Sequence, residues 1–393
     1  MNPKAEFDII VYGASGFTGR LVAEYLARRY GVGGAVKWAM AGRSAAKLAE
    51  VRDLIGAPAD TPLVVADADD PASVKAMVER TKAVLTTVGP YQLYGSDLVG
   101  ACAEAGTDYL DLCGEPAWMR WMIDAHEATA KRTGARIVFS CGFDSIPFEL
   151  GVWFLQEEAK SALGAAVPRV KGRVRGMKGG FSGGTAASLK ATMAAAMKDP
   201  SVIDLLKNPF ALTPGFEGPV QPHGAAVAYD EDLGVWAAPF VMAAINTRNV
   251  HRSNFLMGQP YGADFVYDEM MLTGPGEQGE AIAKAVNAGN AALGGDGGPK
   301  PGEGPSLEER ETGFYDVLFV GVAADGRQVR ASVKGDRDPG YGSTSKMIAE
   351  SAICLVTEAT EVPGGIWTPG AAMQGRLVER LQREAGLTFT VET

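Results

Sequence analysis

The chain is poor in the residues that staple or metallate a fold. Its 393 residues include only 4 cysteines and 3 histidines. Cys102, Cys113, Cys141 and Cys354 form no Cys-x-x-Cys pair, and no histidine stands at metal-ligand spacing. That argues against a zinc site and predicts reduced thiols and no metal centre. Cations are in deficit too: 37 Lys and Arg against 47 Asp and Glu leave a net charge of −10. Nucleic-acid binding through a basic surface is not expected, although a local pocket for one phosphate is compatible with this balance. Long apolar runs are missing. The longest uncharged stretch, Leu233 to Thr247, is interrupted by Pro239 and falls short of the ~20 residues of a membrane span. Met1 to Asp8 carries no apolar segment, so no secretory leader is predicted. The expectation is a cytoplasmic protein, touching lipid or a membrane at most peripherally.

What is abundant is glycine. The chain has 50, about twice the usual ~7%, with no Gly-X-Y period, which suits tight turns and close backbone approaches. From Phe7 to Ser140, strand-like and helix-like segments alternate. Strands are predicted at 7–12, 36–41, 63–66, 83–88, 109–112 and 136–140, with helical spacing between them. Asp70 and Pro71 open one of these helices as cap and first helical residue. The alternation predicts an α/β fold whose first part, residues 1–150, is a doubly wound parallel (Rossmann) sheet. Beyond it the pattern changes. A strand at 171–177, a helix at 185–197, a loop at 209–224 and a Gly/Pro-rich loop at 294–305 precede a hairpin around Asp325-Gly326. This predicts an α+β domain with an antiparallel sheet over 151–345, and a helical C-terminal segment, 346–393, that returns to the first domain.

The strongest motif is Gly13-x-x-Gly16-x-x-Gly19 between the first strand and the first helix. The glycines permit the tight turn, the approach of a pyrophosphate and the packing of helix on strand, and the helix start supplies N–H donors. Ser15, Phe17 and Thr18, lying between them, join Gly13, Gly16 and Gly19 as cofactor-binding candidates. At the end of the second strand, where an acid would hold the ribose of NAD, stand Gly42-Arg43-Ser44 and then Lys47. A guanidinium in place of a carboxylate reads as selection for the 2′-phosphate of NADP; the alternative is that Arg43 and Lys47 are solvated charges. Asp67 falls at the adenine end, and Val88-Gly89-Pro90 at the switch crevice.

Three further clusters are turns or sites: Asp111 to Glu115, Cys141-Gly142-Phe143-Asp144-Ser145-Ile146-Pro147, and Asp338 to Thr344. The first two follow parallel strands, whose carboxyl ends face the ligand crevice. Cys141 has no partner base in sequence and reads more readily as a small buried hydrophobe than as a nucleophile. Cys141 and Gly142 are taken as cofactor-side residues. Phe143, Asp144, Ser145, Gly183, Gly184 and Tyr341 are taken as substrate-side residues.

Tyr12 to Gly19, Ala41 to Ser44, Val88 to Tyr91, Asp108 to Glu115 and Cys141 to Pro147 together resemble the saccharopine dehydrogenase-like oxidoreductases. Ser182 to Ser188, Asp338 to Tyr341 and Gly364 to Pro369 resemble the trans-acting enoyl reductase branch of that family. The resemblance implies an NADPH-dependent reductase of an enoyl thioester or related lipid or polyketide intermediate, met free or on a carrier protein. Tyr91, Tyr94 and Ser182 are the catalytic candidates, each with a core or turn role as its alternative. A saccharopine-type imine reductase is the second reading; its polycarboxylate substrate would want an arginine cluster, for which Arg173/Arg175 and Arg248/Arg252 are the local candidates. A non-catalytic NADP sensor is the third. A homodimer is compatible with all of them.

Overall fold

The computed structural model describes residues 5–180, 183–292 and 302–392. Ser182 and most of the 294–305 loop lie outside the described residues. In chain order the strands are β1 Phe7–Tyr12, β2 Trp38–Gly42, β3 Leu63–Val65, β4 Thr81–Thr86, β5 Asp108–Leu110, β6 Arg136–Val138, β7 Arg169–Lys178, β8 Ala228–Asp230, β9 Val235–Pro239, β10 Val266–Gly274, β11 Phe314–Val322, β12 Gln328–Gly335, β13 Gly365–Trp367 and β14 Leu387–Glu392. They form two seven-stranded sheets.

The first sheet runs β13-β6-β5-β4-β1-β2-β3 and is parallel throughout. It is the doubly wound sheet that the alternating pattern predicts. Central strands bury both faces and therefore read as continuous apolar runs. In β1, Ile9 and Val11 enter one core while Ile10 and Tyr12 enter the other. Helix Phe17–Tyr30 covers the first face together with helix Thr344–Thr357, which comes from far along the chain. The seventh strand, β13, is also a late arrival. Gly364 lets it reach the edge, because a side chain there would strike the carbonyl of Ala130.

The second sheet runs β14-β12-β11-β7-β10-β9-β8. It is antiparallel except where β7 and β10 pair in parallel. Helix Ile146–Leu163 leads from the first sheet into the second and packs against β11 and β12. Glycines permit that contact: a side chain at Gly151 would collide with the ring of Phe319.

Two buried charges tie the elements together. Arg136, at the start of β6, reaches Asp108 Oδ1 through Nε at 3.0 Å and donates to the carbonyls of Leu355 (2.9 Å) and Ala359 (2.8 Å). Glu149 accepts from Ser253 Oγ (2.6 Å) and from the Gly370 N–H (3.1 Å), joining three helices. Burial pushes the Glu149 carboxyl up to about 7.

Truncating one member of a buried pair leaves the other charge uncompensated, at about 3–5 kcal/mol. Arg136→Ala is therefore expected to lower the urea-unfolding free energy by that amount, and Arg136→Met with Asp108→Leu to recover much of it. A pH effect follows from Glu149. Its folded-state pKa of about 7 lies above its ordinary 4.5, so its contribution to stability is fullest below 4.5 and is lost as pH rises toward 7. Glu149→Gln should remove that part of the decline. Thermal melts at pH 4.5 and 7.5 should show a smaller difference in the variant than in the wild type.

Candidate functional site

Because the first sheet is wholly parallel, the loops after β1, β2, β4, β5 and β6 lie along one edge. The loop after β1 is a cradle. Gly13 has φ +88°, and a side chain on it would meet Thr87 Oγ1 at 2.8 Å. A side chain on Gly19 would strike the Gly13 carbonyl. The Gly16 N–H closes the turn on Gly13 O at 2.9 Å. Helix Phe17–Tyr30 then starts with no side-chain cap and no acidic residue in its first turn. Its N–H groups and positive dipole end are free for an anion. Ser15 and Thr18 are half-buried beside it.

At the end of β2, Ser44 caps helix Ala45–Leu54 by accepting from the Lys47 N–H at 3.3 Å. Arg43 and Lys47 are both exposed. No hydrogen bond or ion pair among the described residues engages the Arg43 guanidinium. Asp67, just past β3, accepts from the Asp69 N–H at 3.2 Å in a tight turn. These residues fit a dinucleotide with a 2′-phosphate: room without side chains at the pyrophosphate, unspent N–H donors, and an uncommitted guanidinium.

The loops after β4, β5 and β6 are bound to one another. Glu115 accepts from the N–H groups of Tyr91 and Gln92, each at 2.9 Å. Asp111 accepts from Ser140 N at 2.8 Å, Cys113 N at 3.0 Å and Tyr109 Oη at 2.9 Å. Burial pushes Asp111 up to about 7, against the pull of these donors. Tyr91 is enclosed. Its hydroxyl donates to Thr86 O at 3.3 Å and accepts from Leu112 N at 3.1 Å, so it serves the backbone. Tyr94 stands on the rim, 44% exposed. Val88 and Gly89 border the crevice, and Pro90 is buried.

After β6 the chain meets the second sheet. Cys141 is buried with its thiol against Val138 O at 3.5 Å, and burial raises its pKa well above the ordinary value. A side chain on Gly142 would touch Leu112 and Thr344 at 2.9 Å. Phe143 N donates to Thr344 Oγ1 at 2.9 Å, and its ring lies 5.0 Å from that of Tyr315. Ser145 Oγ accepts from Asn249 Nδ2 at 2.9 Å. Asn246, one turn earlier on helix Ala243–Leu256, donates to Glu269 Oε2 at 2.9 Å, and the Tyr267 hydroxyl donates to Glu269 Oε1 at 2.9 Å. Asp144 is half-buried, with its Oδ1 sealed from solvent and without a partner among the described residues. Burial pushes it up to about 7.

Across the glycine cradle, the Tyr341 ring packs edge-on to Phe17 at 5.3 Å, and its hydroxyl lies 3.0 Å from Thr185 Oγ1. Gly183 and Gly184 begin the helix Gly183–Lys198 that carries Thr185. Thr192, two turns on, accepts from Gln92 Nε2 at 3.2 Å. The structure thus brings Phe17, Gln92, Gly184 and Tyr341 to one crevice, while Phe143 turns into the core. Glu115 as a cap, Thr185, Asn246, Asn249 and Glu269 join the expected residues here. The available signals were amides spaced i, i+3 after an apolar run, and an acid two residues past a tyrosine in a strand.

Comparison with known proteins shows the family and the fold. Residues 9–138 match the family model for the saccharopine dehydrogenase NADP binding domain. A provisionally named trans-acting enoyl reductase of Mycobacterium tuberculosis is 41% identical, covering 96% of this chain and 95% of its own length. A trans-acting enoyl reductase of Mycobacterium leprae is 37% identical over 97% of both chains. A solved apo saccharopine dehydrogenase (L-Glu forming) from Saccharomyces cerevisiae shares the fold with a TM-score of 0.56 at 10% identity, covering 98% of this chain and 100% of its own. The chain belongs to the NADP-binding, saccharopine dehydrogenase-like oxidoreductases, within the branch of the trans-acting enoyl reductases. No helix among the described residues is long and apolar enough to cross a membrane.

A charge-assisted phosphate contact contributes about 1.5–3 kcal/mol. Arg43→Ala is accordingly expected to weaken NADPH by roughly ten- to hundredfold while leaving NADH nearly unchanged. Calorimetric titration of both cofactors checks this; equal losses would remove Arg43 from the phosphate site.

Proposed function

We propose that the protein reduces the carbon–carbon double bond of an enoyl thioester at the expense of NADPH. The observation that carries this reading is the helix Gly183–Lys198. It is rich in Ala and Met, and no described residue of it is fully buried. Thr185 hooks it to Tyr341 and Thr192 hooks it to Gln92, so it lies over the crevice. Leu189, Met193 and Met197 stay exposed along the helix, and its Thr192 and Ala195 face Gln92, Trp118 and Trp121 across a small hollow. Adaptable, polarizable side chains of this kind suit an acyl chain, whose binding rests on apolar area.

The arginines weigh against a polycarboxylate imine. Arg173 pairs with Asp230 and Asp268, and Arg175 with Asp316 and Glu392. Arg248 donates to the carbonyls of Ala244 and Leu206, and Arg252 to those of Leu212 and Ile366. All four are occupied inside the fold.

In this reading residues 1–150 hold the cofactor and residues 151–345 close over it, while of residues 346–393 the helical part and β13 return to the first sheet and β14 joins the second. Gly13, Ser15, Gly16, Phe17, Thr18 and Gly19 take the pyrophosphate, and Arg43, Ser44 and Lys47 the 2′-phosphate. Asp67 lies toward the adenine, and Val88, Gly89, Pro90, Cys141 and Gly142 toward the nicotinamide. Bound NADPH supplies the hydride. The chain's own work is to orient the thioester under the helix, exclude water, and hold the oxygen on which charge develops. The N–H groups of Gly183 and Gly184, at a helix start, are suited to that last task.

The test is NADPH oxidation with enoyl thioesters of increasing chain length, beside lysine-derived imines. Turnover of the thioesters is expected, with kcat/KM rising with chain length and Met193→Asp flattening that rise. Turnover of the imines alone would reverse the reading. Silence on both, with NADPH firmly bound, would favour a sensor.

A further inference from the structure

Resting on the enoyl reduction proposed above, we infer that Asp144 and Glu269 form a carboxyl pair that holds one proton at the seam between the two sheets, and that Asp144 delivers it to the α-carbon of the substrate.

The pair is assembled by one helix. Asn246 and Asn249 are three residues apart on helix Ala243–Leu256 and so share a face. The first bonds Glu269 on β10 of the second sheet. The second bonds Ser145, the neighbour of Asp144, beyond β6 of the first. The charged residues of that helix turn elsewhere: Arg248 and Arg252 donate to carbonyls of other segments, and His251 packs its ring 4.7 Å from that of Phe210. On β10, Asp268 is taken by Arg169 and Arg173. On β7, the residue lying beneath Tyr267 and Glu269 is Gly172. Glu149, on the helix that follows Ser145, is held by Ser253 and Gly370. No cation among these groups faces the two carboxyls.

The polar count points the same way. Glu269 has a donor on each oxygen. Asp144 Oδ1, Asn246 Oδ1 and Asn249 Oδ1 have none among the described residues, although Asn246 and Asn249 are each 0% exposed. The cluster has more acceptors than donors, an imbalance that one proton on a carboxyl reduces. Asn246 and Asn249, one helical turn apart, bring the Glu269 carboxyl and the Asp144–Ser145 segment to one helix face, and two carboxyls sharing a low-dielectric site cannot both ionise freely. Burial raises both, and the Asp144 charge adds to the rise at Glu269. Glu269 is 1% exposed and Asp144 half-buried, so Asp144 is the member that a substrate can reach.

The step balances simply. Hydride addition at the β-carbon leaves an enolate. The Asp144 O–H bond breaks, a C–H bond forms at the α-carbon with the enolate's electron pair, and the carboxylate regains a proton from water.

The test compares wild type, Asp144→Asn and Glu269→Gln, with two readouts. Infrared difference spectra at pH 6.5, wild type minus each variant and without substrate, report the carbonyl stretch of the protonated pair, because the buried carboxyls Asp111 and Glu149 are common to all three proteins and cancel. Steady-state kinetics with crotonyl thioester report delivery, with NADPH affinity measured beside them. The expected result is loss or a shift of that band in either variant. NADPH affinity should stay within about threefold, and kcat should fall about hundredfold or more in Asp144→Asn, as for a removed general acid. A band unchanged in both variants overturns the pair. Loss of the band with kcat near wild type overturns delivery by Asp144 and leaves the enoyl reading intact. Loss of the band in a protein that reduces no enoyl thioester overturns the enoyl reading and supports the pair.

Discussion

The site depends on one short loop that carries two carboxylates. Asp111 and Glu115 follow β5 and reach in opposite directions, Asp111 to the segment after β6 and Glu115 to the helix after β4. Each side chain accepts backbone N–H groups that would otherwise be left unpaired. Burying an unsatisfied carboxylate or amide is costly, and here each offsets the other's cost. Three neighbouring strand ends are thereby held at fixed spacing. Two later helices dock onto that frame, through Thr344 on Phe143 and Asn249 on Ser145.

The same arrangement explains what could be read in advance. Strand and helix alternate from β1 to β6 because both faces of a parallel sheet must be covered, and that demand is written locally as apolar periodicity. The glycine cradle is legible for a related reason: Gly13 and Gly19 occupy places where a side chain would collide with backbone or a neighbouring loop. Less was legible where contacts join distant segments. β13 is three residues long and exists because Gly364 permits close approach to a helix more than two hundred residues earlier. Helix Ala243–Leu256 buries Asn, His and Arg residues on several faces, so its sequence lacks a simple apolar stripe.

Tyr91 is instructive at the level of a single side chain. Its position just past β4 suggests a donor for catalysis, yet its ring packs 5.8 Å from that of Trp118 and its hydroxyl bridges two backbone groups. Nothing in the local sequence distinguishes the two roles. The difference is made by Leu112 and Trp118, both contributed by later segments of the chain. Glu115 shows the converse: a residue readable as a turn component proves to organise the loop on which Tyr91 sits.

The path of the last fifty residues has a consequence for how the protein is made. Helix Thr344–Thr357 lies beneath the first sheet, β13 forms one of its edges, and β14 forms an edge of the second. While the ribosome is still adding these residues, the nascent first sheet has an uncovered apolar face and an unpaired edge at β6. Such edges invite pairing with other chains. Completion of both halves waits on the same stretch of polypeptide. Both sheets therefore close only once residues 344–392 have been made, and a ribosome that stalls before residue 344 leaves a product with an open sheet edge and a bare apolar face.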